Sequence, residues 1–86
     1  MITAVDLGRL TEELARAHRE LGDLLSAEMR VRVDSYQAAL PNAKYVKDAE
    51  HFASFKAVQY SAEIAVLRGE IAALTVEWEY AKTLAG

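Results

Sequence analysis

The sequence contains no cysteine, which excludes disulfides, thiolate metal sites and cysteine nucleophiles. One proline and four glycines are too few to punctuate a chain of short strands and turns. Gly8, Gly22, Gly69 and Gly86 stand singly, so no glycine-rich phosphate loop is present. No apolar run approaches the ~20 residues of a membrane span, and stretches such as Ile71 to Val76 are soon broken by charge. The opening Met1-Ile2-Thr3-Ala4-Val5-Asp6 has neither a basic leader nor an apolar core of signal-peptide length. A cytoplasmic protein with no membrane partner is expected. Basic charge is not in excess either. Lys and Arg number 10 against 13 Asp and Glu, a formal net charge of −3, which argues against a protein that coats nucleic acid indiscriminately.

What is there is almost entirely helix former, in 86 residues that make one domain, 1–86. Pro41-Asn42 is the single break. Proline inside a helix costs about 3 kcal/mol, and the residue before it is pushed from helical geometry. Helix one is therefore expected over about 4–40 and helix two over about 44–84, with Asn42 capping the second helix through its side-chain oxygen. Thr3-Ala4-Val5-Asp6 has capping-box spacing at the start of the first.

The apolar spacing predicts how the two helices meet. In helix two, Val46, Ala53, Ala57, Tyr60, Ile64, Leu67, Ile71, Leu74, Trp78, Ala81 and Ala85 advance mostly by alternating fours and threes, with Glu50 as the interruption. This is the 3.5-residue rhythm of a coiled coil. Leu7, Leu10, Leu14, Ala17, Leu21 and Leu24 keep it in helix one. The apolar stripe then shifts to Leu25, Met29, Val33, Tyr36 and Leu40, which predicts a stutter in helix one. If the chain reverses at Pro41-Asn42, facing residues have numbers adding to about 85. Leu7 then faces Trp78, Leu14 faces Ile71, Leu21 faces Ile64, Leu25 faces Tyr60 and Tyr36 faces Ala49. The fold class expected is all-α, an antiparallel helical hairpin with arms of roughly 55 Å at 1.5 Å per residue.

Helix two carries more apolar surface than one partner helix covers: Phe52, Phe55, Val58, Ala62, Val66, Ala73, Val76, Tyr80 and Leu84 lie outside its seam. Self-association into a four-helix bundle is the expectation. Its interface is assigned to Phe55, Tyr60, Ile64, Leu67, Ile71, Leu74 and Trp78. A folded-over hairpin or another protein on the same face is the alternative.

Chemistry-bearing constellations are few. Asp48 and His51 are three apart on one face of helix two, and the register would bring Asp34 near them. Di-iron bundles use Glu-x-x-His, a pattern this chain does not reproduce. An acid favoured by the helix dipole beside a surface histidine accounts for the pair. No metal or cofactor is expected. His18 has no matching carboxylates, and Ser26, Ser35, Ser54 and Ser61 have no His–Asp spacing around them. The chain is read as no enzyme. From Arg30 to Lys56 the charge is +2, with Arg30, Arg32, Lys44, Lys47 and Lys56 against Asp34, Asp48 and Glu50; five basic and ten acidic residues elsewhere give −5. Any contact with nucleic acid is therefore placed at the hairpin tip, on those five cations with Tyr45 as a stacking group. A simple solvated tip is the competing account.

Arginine over lysine in an alanine-rich chain suits a GC-rich genome. Tyr36, the short break, Val46-Lys47-Asp48-Ala49-Glu50, Glu63 and Glu70 in a repeating pattern, and Trp78-Glu79-Tyr80 complete the layout. That layout resembles small two-helix proteins of tailed phages that infect actinobacteria. The resemblance implies a non-enzymatic accessory factor, some examples being linked to phage recombination or replication, and carries over no catalytic residue. A virion connector or scaffold piece, or an inhibitor of a host or defence protein, are the alternatives.

Overall fold

The computed structural model describes residues 4–85, with side chains over 6–84. The protein is an all-α helical hairpin, and no strand occurs among the described residues. The first arm is one unbroken helix, α1 (Ala4–Ala39); the second is α2 (Val46–Ala57) and α3 (Ser61–Ala85), joined through a 3₁₀ turn at Val58–Tyr60. Thr3 of the expected capping box lies outside the described residues; Asp6 stands in the first turn of α1, where an acid suits the helix dipole.

Pro41 ends the first arm as its chemistry requires. It has no N–H to donate and its ring would strike a carbonyl one turn back, so α1 stops at Ala39 and Leu40–Asn42 tightens into a 3₁₀ turn. Ala43 N–H closes that turn on the Leu40 carbonyl at 3.2 Å. The chain then runs extended through Ala43 and Tyr45 before α2 begins. Asn42 does not cap the second arm: it is held inside the turn, and Tyr45 takes the N-cap position without a side-chain hydrogen bond. The second arm accordingly starts at Val46 rather than 44. Its first turn is tied by Asp48 N–H to the Tyr45 carbonyl at 3.0 Å, with the Asp48 charge near the positive end of the helix.

The chain packs as two compact units, one of Met1–Gly22 with Ala65–Gly86, the other of Asp23–Ile64. In the first, Leu10, Ala17, Leu67 and Ala81 are buried, and Leu7, Leu14, Leu21, Ile71, Leu74 and Trp78 are half-buried. These are the seam residues expected from the 3.5-residue rhythm. Trp78 Nε1 donates to Thr11 Oγ1 at 2.9 Å, and that hydroxyl donates onward to the Leu7 carbonyl at 2.9 Å. The Lys82 ammonium lies 4.8 Å from the centre of the indole ring.

The second unit departs from expectation in both arms. Its buried residues are Ala49, Ala53, Ala57 and Ile64. The seam of α2 therefore runs through Ala49, and Val46 and Glu50 are exposed. On α1 the half-buried residues are Leu24, Ala27, Glu28, Val31, Arg32, Ser35, Tyr36 and Ala39; the heptad rhythm holds from Leu24 to Ser35 and is followed by a step of four to Ala39. The expected shift of the stripe at Leu25 is not made: Leu25, Met29, Val33 and Leu40 are left exposed, Met29 by 58%, and of that stripe Tyr36 alone is half-buried. Steps of four also occur in α2, at Ala49, Ala53 and Ala57, just before the 3₁₀ turn. The physical reason is side-chain size. A row of alanines offers little apolar area to meet, yet leaves room for Arg32 to lie across it, and Arg32 Nη1 donates to Ser54 Oγ at 3.0 Å.

Two stability predictions follow from these seams. Leu67→Asp is expected to abolish cooperative unfolding or lower the midpoint sharply, because it buries an unpaired carboxylate. Ala53→Leu is expected to destabilise by about 1–3 kcal/mol through overpacking at a site only 2% exposed. Urea titration followed by circular dichroism checks both.

Candidate interaction surface

Among the described residues no group of three or more His, Asp or Glu side chains could hold a metal ion, so Asp34, Asp48 and His51 do not converge. His51 and His18 are both exposed. What the structure does present is apolar surface turned to solvent.

The residues assigned to an interface from the sequence divide in two. Ile64 and Leu67 are buried within the chain, and Tyr60, Ile71, Leu74 and Trp78 are half-buried in the seam. These six hold the hairpin together, which leaves little of them for a second molecule. Phe55 is different: it is 72% exposed and lies about 160° around α2 from Ala53, facing away from the seam. Phe52, also exposed, sits about 100° from Ala53 on the same flank.

The outward face of α3 is the larger surface. Val66, Gly69, Ala73, Val76, Tyr80 and Leu84 fall within an arc of about 80° at 100° per residue, centred about 150° from the buried stripe. All six are exposed, Val76 by 70% and Tyr80 by 62%. From Val66 to Tyr80 the steps alternate three and four, so α3 carries a second seam on its back. That rhythm is readable in the sequence from Val66, Ala73, Val76 and Tyr80. Gly69 has open space around the position a Cβ would take, which gives a facing helix a low point for close approach. One flank of this seam is acidic. Glu70 and Glu77 line a groove with Glu13, Glu20 and Arg16.

The cations proposed for the hairpin tip do not form one patch. Arg32 is half-buried, bonded to Ser54 and 3.8 Å from Glu28 Oε1. Lys47 and Lys56 lie about 180° apart on α2. Lys44 stacks over its neighbour Tyr45 at 5.6 Å, and Lys56 over Phe52 at 5.5 Å. Arg30 is exposed and shares a groove with Asp34. Dispersed cations, two of them covering aromatic rings, make a poor phosphate track. Fluorescence anisotropy with labelled single- or double-stranded DNA at about 50 mM salt is expected to show no saturable binding.

The class these features define is a helical hairpin with an apolar seam on each side of its second arm. No family model matches the chain, and neither does any curated protein or solved structure. Among the described residues no helix is long and apolar enough to cross a membrane.

Proposed function

We propose that this protein is a non-enzymatic interaction module whose outer α3 seam takes a helix of another protein. The observation that supports this reading is the exposed row of Val66, Gly69, Ala73, Val76, Tyr80 and Leu84. Apolar residues at helical spacing and turned to water, with Val66, Val76, Tyr80 and Leu84 as the large ones and Gly69 and Ala73 leaving room between them, are what helix-in-groove and coiled-coil recognition uses. The partner helix is expected to carry basic flanks, to meet Glu70 and Glu77. The same acids argue against α3 pairing antiparallel with its own copy, because Glu70 and Glu77 would fall at the same level along one edge.

The resemblance to two-helix proteins of tailed phages of actinobacteria extends the proposal. On that reading the chain is a phage accessory factor, acting in the host cytoplasm on a component of recombination or replication.

Affinity capture from host cells, read by mass spectrometry, tests both levels. A partner retained by the native chain should be lost with Val76→Glu or Tyr80→Glu, and weakened roughly tenfold by Glu70→Lys with Glu77→Lys. Each variant should keep the native helical signal, since these positions are exposed. Proteins captured equally by all variants would exclude the α3 seam. Recovery of portal or tail proteins would move the role from DNA metabolism to the virion.

A further inference from the structure

We infer that a second copy of this chain docks antiparallel on the exposed stripe of α1, about a two-fold axis near Val33. This surface lies within the Asp23–Ile64 unit and does not depend on the α3 reading. Leu25, Met29, Val33, Tyr36 and Leu40 fall within about 80° of arc. All are exposed except Tyr36, which is half-buried. Their helix turns Glu28, Val31 and Ser35 toward the alanine row instead, so the stripe has no cover within the chain.

The identity of the occupant comes from self-complementarity. A two-fold interface sets residue i on j and j on i. Antiparallel pairing about a point between Arg32 and Val33 brings Leu25 to the partner's Leu40 and Met29 to the partner's Tyr36, with Val33 beside the axis. The same register sets Arg30 within one residue, about 1.5 Å along the helix, of the partner's Asp34, and Asp34 equally near the partner's Arg30. Both charges border the groove formed with Leu25, Ser26, Met29 and Val33. Arg30 and Asp34 take no part in the ion pairs Arg9–Glu13 and Glu28–Arg32 and both are exposed, so this pair of charges is open to a partner. A parallel arrangement would carry Arg30 and Asp34 of the two copies to opposite edges of the contact, where neither finds its counterpart.

Sedimentation equilibrium on the purified full chain decides the matter. A dimer is expected. Arg30→Asp alone and Asp34→Arg alone should each weaken it roughly tenfold, since each turns two attractions into two repulsions. Mixing the two variants should restore a heterodimer, and the variant with both substitutions should restore the homodimer. Circular dichroism should show native helicity throughout. In this cysteine-free chain, Val33→Cys should oxidise to a disulfide-linked dimer and Leu25→Cys should not. A monomeric native chain, charge variants that dimerise like it, mixing without recovery, or cross-linking through Leu25→Cys would each overturn the proposal. So would a dimer abolished by Val76→Glu and indifferent to Arg30 and Asp34, which would place the copy on α3.

Discussion

Two helices can bury only the stripes that they turn toward each other. That constraint governs this protein. Its core is one side chain deep, and among the described residues no large side chain is wholly removed from water. Leu10, Ile64 and Leu67 are the large apolar residues that reach burial, and alanine supplies the rest. Whatever else is apolar has to stay outside. The exposed valines, phenylalanines and tyrosines therefore follow from a two-helix architecture that carries more apolar residues than its seam can accept.

The two units solve the seam differently. Where leucines face Leu67, Ile71, Leu74 and Trp78, side chains of similar bulk meet, and the Trp78–Thr11–Leu7 hydrogen-bond chain fixes the contact laterally. Where Ala49, Ala53 and Ala57 form the second arm's inner face, the first arm turns charged and polar side chains inward. Arg32 then spans the contact to Ser54, a use for its guanidinium and aliphatic stem together. The consequence is that Leu25, Met29 and Val33 are displaced to the side. A packing compromise in the core is what creates the exposed stripe on α1.

Recognition by such a surface rests on pattern rather than on chemistry. The outer α3 row is apolar with an acidic flank, and the α1 stripe is apolar with one charge of each sign beside it. Charge at the margins of an apolar contact selects partners and register more than it adds affinity.

The helices, their reversal at Pro41 and the seam of Leu7 to Leu21 with Leu67 to Ala81 were legible in the sequence. Each is set by local rules: proline's missing N–H, the 3.5-residue period, and the leucine-rich positions that satisfy it. The second seam on α3 was legible by the same period. The tip was not. Which face α1 shows to α2 could not be read from apolarity alone, because Leu25, Met29 and Val33 are more apolar than the Glu28, Val31 and Ser35 that turn inward. The sequence therefore determined the elements and their rhythm, while packing against a row of alanines within the Asp23–Ile64 unit decided which of its apolar residues stayed exposed, because small side chains on one helix accept polar neighbours from the other as readily as apolar ones.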